Sequence, residues 1–354
     1  MGVSVGVLAT ASVRSSSVVT SMIVGLVAGG LPVAVAISMS MGSNMGTTVT
    51  NTSVSLGNLR DDKAFNRLFG VSVVHDFFNL YSILICLPIE LLFQPLERMA
   101  GAAARLFAGA GDHSMRDLEF ILMATRPAVN ALHDGIATLP ETIGSIAMIV
   151  VGIGLVIPSV YRLNKLLEAA MTGRAKRLFD PAGRRNAGLA LLFGAVVSIL
   201  VQSSTLTTVL IVPMAGAGLF TLVQVFSFTL GANVGTTITA LLAATAVDGA
   251  YPFVALQIPL GHVFDNAIGV ALFFFVPWLR VLPLESAQML ADSTERTRWL
   301  VPASILGVFA VLAGLVLGGQ HLLDSRSASG LEAQADDACE EAVAETEASE
   351  FAIE

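Results

Sequence analysis

Two stretches of this sequence nearly repeat each other, Gly42-Ser-Asn-Met-Gly-Thr-Thr-Val-Thr50 and Gly231-Ala-Asn-Val-Gly-Thr-Thr-Ile-Thr239. Each interrupts a long apolar segment, the first over 31–58 and the second over 221–248. Lipid cannot satisfy the backbone groups that a broken helix exposes, so irregular backbone at membrane depth must be buried in protein or line a polar cavity. We therefore predict two discontinuous helices whose breaks line such a cavity.

A second kind of interruption precedes each of these stretches. Arg14-Ser-Ser-Ser17 divides the apolar segment 2–30, and Gln202-Ser-Ser-Thr205 divides the segment 186–218. Each half has ~12 residues and rises only ~18 Å as a helix, which is too short for a hydrocarbon core of ~30 Å. The pattern predicts two re-entrant helical hairpins with the polar residues at their tips.

These features recur in the same order at nearly one spacing. Ser15 precedes Ser203 by 188 residues, and Gly42 precedes Gly231 by 189. A third pair, His75-Asp-Phe-Phe-Asn79 and His262-Val-Phe-Asp-Asn266, is 187 residues apart and places His and Asn on one helix face. Three separate features at one offset indicate a duplicated unit.

The composition places the chain in a bilayer. Of its 354 residues 54% are hydrophobic and only 13% are charged, whereas a soluble domain has roughly 25% charged residues. The net charge of −8 comes from the tail that begins at Asp324, which has ten acidic residues and one arginine, so it gives no reason to expect a nucleic-acid partner. Two cysteines, Cys86 and Cys339, support neither a disulfide framework nor a metal site.

Basic residues between the two units set the expected topology. Such a cluster belongs in the cytoplasm, and it comprises Arg162, Lys165, Arg174, Lys176, Arg177, Arg184 and Arg185. Counting crossings from it, the first hairpin opens from the outer side and the second from the inner side, which is an inverted repeat. We predict an all-α polytopic membrane protein of the cell (inner) membrane with these parts: first repeat 1–92 with helix 66–92, extracytoplasmic connecting loop 93–126, transmembrane helix 127–160, cytoplasmic loop 161–185, second repeat 186–280 with helix 252–279, last transmembrane helix 300–322, and disordered acidic tail 324–354.

The distribution of charge suggests what the polar breaks bind. Arg14 is the only ionisable side chain over 1–59, and there is none over 186–247. Half-helix N-termini attract an anion, whereas freed carbonyls and hydroxyl oxygens suit a hard cation such as sodium. Without a carboxylate in these segments, a negatively charged substrate and its cations would stabilise one another, which is a physical basis for cotransport.

Simpler explanations exist for each residue type taken alone. Glycine, serine and threonine are common packing residues between membrane helices, and one such motif alone would indicate little; four breaks in two matched pairs favour a site. A buried histidine such as His75 or His262 often joins its helix to a neighbour. Asp76 and Asp265 allow the same interpretation, although intramembrane carboxylates are functional candidates.

At these motifs the sequence resembles the type II sodium–phosphate cotransporter family, in its bacterial branch. That family has a QSSS motif and a GAN-x-GT motif in its first repeat and a QSS-[ST] motif and a GAN-x-GTT motif in its second, each followed by a His-containing helix that ends in Asn. The resemblance covers roughly residues 1–280. It implies sodium-coupled symport of inorganic phosphate into the cell, with phosphate, sodium ions and membrane lipid as partners, sodium as the only metal, and no other cofactor.

The resemblance also implies which residues bind. The phosphate and sodium ligands would be the hairpin-tip residues Ser15, Ser16, Ser17, Gln202, Ser203, Ser204 and Thr205. Supporting residues would be Arg14, Asn44, Thr47, Thr48, Asn233, Thr236 and Thr237.

Two departures from the family pattern keep alternatives open. Arg14 stands where the family has Gln; arginine is a bidentate phosphate ligand, but it would also repel sodium or turn away from the site. The family has a spanning helix before the first hairpin, and Met1 falls just ahead of that hairpin. The alternatives are a non-transporting homologue that acts as regulator or partner subunit, a symporter for another small oxyanion, and proton coupling through His75 and His262. An enzyme is not expected, because no nucleophile–base arrangement, metal-ligand spacing or P-loop is present.

Overall fold

The structure is a computed structural model of the 354-residue chain. It describes residues 1–47, 52, 62–109, 186–216, 220–245, 252–297 and 299–304, together with single positions between 127 and 162 and between 306 and 314. The chain divides into one unit over Met1–Ile305 and a second over Leu306–Glu354. Few residues of the second unit are described. Of the predicted helices 127–160 and 300–322 the structure describes scattered positions, all of them helical except Pro140, whereas the loop 161–185 apart from Arg162 and the tail 324–354 lie outside the described residues.

Every regular element among the described residues is an α-helix, and none of them is a strand. In chain order the helices are α1 Gly2–Val13, α2 Ser16–Ala28, α3 Val33–Met45, α4 Asp62–Phe93, α5 Pro95–Gly109, α6 Ala187–Val201, α7 Ser204–Gly216, α8 Leu222–Thr245, α9 Pro252–Phe275 and α10 Pro277–Arg296. Within the described part of the chain, three stretches are long and apolar enough to cross a membrane: Phe65–Phe93, Leu222–Ala244 and Phe253–Phe275. The chain is therefore an all-α membrane protein.

The two serine-containing breaks are confirmed. Between α1 and α2, Arg14 has φ 61° and ψ 26°; between α6 and α7, Gln202 has φ 53° and ψ 28°. A left-handed residue stops a right-handed helix, because it turns the chain out of the i→i−4 ladder. We call Arg14–Ser15 and Gln202–Ser203 the two serine breaks.

Glycines set the packing of α1 on α3 and of α6 on α8. A Cβ added to any of six glycines would collide with the facing helix, so only glycine allows these backbones to approach so closely. The contacts correspond one to one at the spacing of the duplication: Gly6 on Met39, Gly42 on Val3 and Gly46 on Val7 in the first half, and Gly194 on Phe228, Gly231 on Leu191 and Gly235 on Ala195 in the second.

Several of the other helix contacts join the two halves. Helix α2 packs on α8 and α9, whereas α7 packs on α4 and α8. Helix α3 packs on α9, and α4 packs on α8. The second helix of each pair therefore rests on the His-containing helix of the other half. Phenylalanines fill part of this junction, with the ring of Phe78 meeting Phe273 at 5.4 Å and Phe226 at 6.2 Å between centroids.

The predicted break in the second motif is wrong. Helix α8 runs without interruption through Gly231–Thr237. Its threonines fit inside the helix because Thr236 donates to the carbonyl of Asn233 and Thr237 to that of Val234, at 2.7 Å each. In the first motif α3 does end, at Met45, and residues 48–51 lie outside the described part.

Two helices lie where none was predicted. Helix α5 occupies much of the predicted connecting loop 93–126, and α10 follows α9 after Val276. Both begin with proline, which is favourable at the first turn because its missing N–H would have no partner there. The Glu90 carboxylate accepts from the backbone N–H of Leu96 at 2.7 Å and of Glu97 at 3.1 Å, so it caps the start of α5.

Candidate functional site

The first serine break buries three hydroxyl side chains at the start of α2. Ser15, Ser16 and Ser17 are all buried, whereas the Arg14 side chain is exposed. Ser15 is the N-cap residue: its Oγ accepts from the N–H of Val18 at 3.5 Å. The break therefore presents the N-terminus of α2 with hydroxyls around it, in a region that excludes solvent.

The second serine break has the same local structure. Ser203 and Ser204 are buried and Gln202 is exposed. The Thr208 hydroxyl donates to the carbonyl of Ser204 at 2.8 Å, as Thr20 donates to that of Ser16 at 2.9 Å. Thr205 lies in α7, but its side chain is outside the described residues.

A hydrogen bond joins α2, which follows the first serine break, to α3. We call α3 and α8 the motif helices, because the two nearly repeated motifs begin within them, at Gly42 and Gly231. The Thr20 hydroxyl lies 3.2 Å from the Ser43 hydroxyl, one turn into α2. Ser43 in turn donates to the carbonyl of Ser40 at 2.7 Å. The second half has no equivalent, because Ala232 stands where the first half has Ser43.

Buried asparagine side chains of one half form hydrogen bonds with asparagine side chains of the other half. Asn44 on α3 donates to Asn266 Oδ1 on α9 at 3.3 Å, and Asn233 on α8 donates to Asn79 Oδ1 on α4 at 3.0 Å. Asn79 also donates to the backbone carbonyl of Asn44 at 3.3 Å. Each motif asparagine thus binds the asparagine of the other half's His-containing helix, and we call this arrangement the amide exchange.

The two histidines join the same centre, but with different partners. His75 Nε2 lies 2.7 Å from Asn233 Oδ1, so this nitrogen carries the proton. His262 Nδ1 instead lies 2.7 Å from the Ser40 hydroxyl, one turn away from Asn44 on α3. Both rings are buried. Each histidine therefore joins its own half to the motif helix of the other.

The motif threonines turn back on their own helices. Thr47 donates to the carbonyl of Asn44 at 2.8 Å, and Thr236 to that of Asn233 at 2.7 Å. Both side chains are buried. Because each hydroxyl oxygen keeps lone pairs after donating, these threonines remain available as acceptors or ligands. Thr48 lies outside the described residues.

Two further hydroxyls at equivalent positions lack hydrogen-bond partners. Thr10 Oγ1 and Ser198 Oγ are buried, and neither has a partner in the structure. Each lies about one turn before its serine break and beside a packing glycine, Gly46 or Gly235. A buried polar group without a partner is rare and calls for a ligand, an ion or water.

The donor set of this centre is made of oxygens and amides. Among the described residues no three His, Cys, Asp or Glu side chains lie close enough to hold a metal ion. Hydroxyl and amide oxygens are ligands for a hard monovalent cation, and the helix N-termini at the breaks favour an anion. The arrangement can hold both charges, each reducing the cost of burying the other.

Sequence reasoning missed part of this centre. Asn79, Asn266 and Ser40 were not among the expected site residues, yet all three bridge the two halves. The i, i+4 spacing of His and Asn on one helix face was the signal for two of them. No sequence feature marks Ser40, because its role depends on where α9 crosses α3.

Comparison with known proteins gives consistent results. Residues 1–108 and 155–277 match the family described as Na+/Pi-cotransporter. Sodium-dependent phosphate transport protein 2A of Rattus norvegicus is 30% identical over 384 residues, covering 90% of this chain and 60% of the relative. Protein 2B of Homo sapiens is 28% identical over 412 residues, with 91% and 60% covered. Protein 2C of Rattus norvegicus is 29% identical over 353 residues, with 78% and 58% covered.

The chain spans about 60% of the length of the first of these relatives. No solved structure matches the chain.

Proposed function

Because the chain belongs to the Na+/Pi-cotransporter family, with both halves of the duplication inside the matched residues, we propose that it is a secondary transporter that carries inorganic phosphate into the cell together with sodium. The site is formed by the buried serines at the two serine breaks, with the motif asparagines and threonines in support. The protein acts in the cell membrane without a cofactor other than its coupling ions.

The observation that carries this proposal is the amide exchange. Asn44 and Asn233 belong to motifs in different halves, and each bonds to the other half's His-containing helix. Movement of one half against the other must change these buried hydrogen bonds. Alternating access needs such a centre, where two repeats meet and can rock about a bound substrate.

The short helices support re-entrant hairpins. Helices α1, α2 and α6 have 12, 13 and 15 residues, and at ~1.5 Å per residue none reaches the ~30 Å of a hydrocarbon core. The basic cluster between the halves favours opposite orientations for the two repeats. The serine breaks would then approach from opposite sides of the membrane and share one binding region.

The absence of ionisable side chains favours an anionic substrate carried with cations. Arg14 is the only residue with an ionisable side chain in the sequence over 1–59 and 186–247, and its side chain is exposed. Helix N-termini and hydroxyls at Ser16 and Ser204 can bind phosphate oxygens. Sodium ions at nearby oxygens would lower the cost of burying that anion, so each ligand would raise the affinity for the other.

Uptake by whole cells tests this proposal. The full chain is expressed in a strain that lacks its own phosphate uptake, and labelled phosphate entry is measured with sodium or choline at fixed pH. We expect uptake that requires sodium and is competed by unlabelled phosphate more strongly than by sulfate. Equal uptake in choline contradicts sodium coupling, and a protein that reaches the membrane without restoring uptake would instead be a regulator or partner subunit.

A further inference from the structure

A small cavity lies where α3, α4 and α9 meet, beside the amide exchange. Its walls include Asn44, Asn79 and Asn266, together with Phe78, Ser82 and Asp265. The cavity measures about 10 Å³, which is close to the volume that one water-sized particle needs. It lies between the two halves and contains none of the serines of the serine breaks.

Asp265 brings a carboxylate without a partner to this cavity. The residue is 8% exposed, and its Oδ1 is buried with no hydrogen-bond partner. No ion pair involves it in the part of the chain that the structure describes. The nearby Glu90 carboxylate adds like-charge repulsion. A buried carboxylate in such surroundings costs several kcal/mol unless a cation or a proton neutralises it.

Ser82 supplies a second oxygen without a partner. It is also 8% exposed and lines the cavity, and its buried Oγ makes no hydrogen bond. Two oxygen-bearing side chains therefore face one cavity without bonding to each other, as ligands around an ion do.

The amides complete a set of oxygen donors. Asn266 Oδ1 accepts one hydrogen bond from Asn44, and Asn79 Oδ1 accepts one from Asn233. An amide oxygen has two lone pairs, so each keeps one for a cation. Together with Ser82 Oγ and one oxygen of the Asp265 carboxylate, this gives four oxygens and a single negative charge. Divalent calcium takes six to eight oxygens, so the set fits a monovalent cation.

The carboxylate that lines this cavity comes from the second half only. At the spacing that relates His75 to His262, the position equivalent to Asp265 is Phe78. Likewise Gly269 is the position equivalent to Ser82 in the duplication. The two residues are also close in space, because a Cβ at Gly269 would lie 3.0 Å from Ser82 Oγ. The second half thus contributes the Asp265 carboxylate, and its Gly269 leaves room for the Ser82 hydroxyl, which the first half contributes.

We propose that Asp265 and Ser82, with the amide oxygens of Asn79 and Asn266, bind a sodium ion in this cavity. This inference rests on the proposed function, because the ion is taken to be a coupling ion. Its location is separate from the serine breaks. Because the ligands come from α4 and α9, the bound ion draws the two halves together before phosphate arrives.

The test compares Asp265→Asn and Ser82→Ala with wild type, using the purified full chain in lipid nanodiscs without phosphate. Melting temperature is followed while sodium chloride replaces choline chloride at constant ionic strength. We expect sodium to stabilise wild type, Asp265→Asn to lose most of that shift, and Ser82→Ala to need several-fold more sodium. The control is Asp292→Asn on α10, an exposed carboxylate that accepts from Asn66 and Gln288, and it should titrate like wild type.

Phosphate uptake by the same variants separates this inference from the proposed function. We expect the sodium concentration for half-maximal uptake to rise at least about tenfold in Asp265→Asn, since the variant removes the only charge of the site. Unchanged sodium titrations in both Asp265→Asn and Ser82→Ala overturn the site. The site is also overturned if Asp265→Asn keeps the sodium response of wild type and only the pH dependence of its uptake is lost. The Asp265 carboxyl would then carry a proton and not bind sodium. A third outcome is that sodium stabilises wild type but not the variants, and that wild type takes up no phosphate. That outcome supports the ion site and contradicts the proposed function.

Discussion

The two halves of the chain share their backbone packing and differ in the side chains at their junction. Each serine break has one residue in the left-handed backbone conformation, Arg14 or Gln202, and the six packing glycines correspond one to one. At the centre, however, Asp265 stands opposite Phe78 in the duplication, and Ser40 has Thr229 as its equivalent. Thr229 bonds to its own helix, whereas Ser40 meets His262.

This comparison separates two kinds of constraint. Where two backbones touch, any added atom causes a collision, so both copies keep the same small residue. Where side chains meet around a polar centre, an exchange of partners is possible, and the copies can take different roles. Differences in charge and in ion binding between the two halves are therefore expected at equivalent positions whose side chains differ.

The largest expected effect tests the shared packing. Gly42→Ala and Gly231→Ala each place a Cβ against a backbone carbonyl, of Val3 and of Leu191. We expect each to cost about 1–3 kcal/mol or more, because a backbone cannot move aside as a side chain does. The measurement is the amount of monodisperse protein after detergent extraction, together with its melting temperature.

Gly25→Ala is the matched control for both variants. Its Cβ would meet nothing within 4 Å, so the exchange should be neutral or stabilising through the better helix propensity of alanine. If alanine were tolerated at Gly42 but not at Gly231, the two helix pairs would not be packed alike.

The next effect probes the amide exchange. Asn233→Ala removes one hydrogen bond to His75 and one to Asn79, whereas Asn44→Ala removes one hydrogen bond of 3.3 Å. We expect Asn233→Ala to cost about 1–3 kcal/mol and Asn44→Ala less, because Asn233→Ala removes more buried hydrogen bonds.

A double-mutant cycle of Asn233→Ala with Asn79→Ala measures the contact itself. Thermal or denaturant unfolding in detergent should give a coupling of about 0.5–3 kcal/mol, as for residues in direct contact. Additive effects would show that these side chains do not meet across the halves.

A functional effect distinguishes the serine breaks from structural polar groups. Ser203→Ala and Ser204→Ala, and the equivalent Ser16→Ala, should lower phosphate uptake about tenfold, since a hydrogen bond to a charged ligand is worth about 1.5–3 kcal/mol. Protein in the membrane should change little, because Thr20 and Thr208 bond to backbone carbonyls at the breaks. Ser12→Ala is the control, an exposed hydroxyl that donates to the carbonyl of Leu8.

Equal uptake by wild type and by the folded double variant Ser203→Ala, Ser204→Ala would remove the second break from the site. A loss confined to one half would show instead that only one break binds substrate.

The smallest effect concerns the residue that begins each break. Arg14→Gln makes the first break like the second, where Gln202 has the same backbone conformation and an equally exposed side chain. Folding should be unaffected. The KM for phosphate should rise at most about three- to fivefold, because an exposed charge contributes at most about 1 kcal/mol.

Arg14→Lys keeps the charge and should lie between wild type and Arg14→Gln in the same uptake assay. Identical phosphate and sodium kinetics in all three proteins would place Arg14 outside the site.

The repeat and the breaks could be read from the sequence because they depend on local chemistry. Ser15 and Ser203 follow residues that end a helix, and the spacing of the duplication fixed their equivalence. Continuity of α8 could not be read, since whether Thr236 breaks a helix or bonds back to it depends on the packing of α6 against Gly231 and Gly235. The cavity beside the amide exchange could not be read for the same reason: Asp265 and Ser82 are far apart in sequence, and only the crossing of α4 and α9 brings them together.

Flux through the purified protein tests the central claim most directly. The full chain is reconstituted in proteoliposomes, and labelled phosphate entry is measured with sodium outside, with equal sodium on both sides, and with sodium replaced by choline. The account predicts phosphate accumulation above its external concentration only when sodium is higher outside, and no accumulation in the other two conditions. Accumulation that is the same with and without a sodium gradient would contradict it.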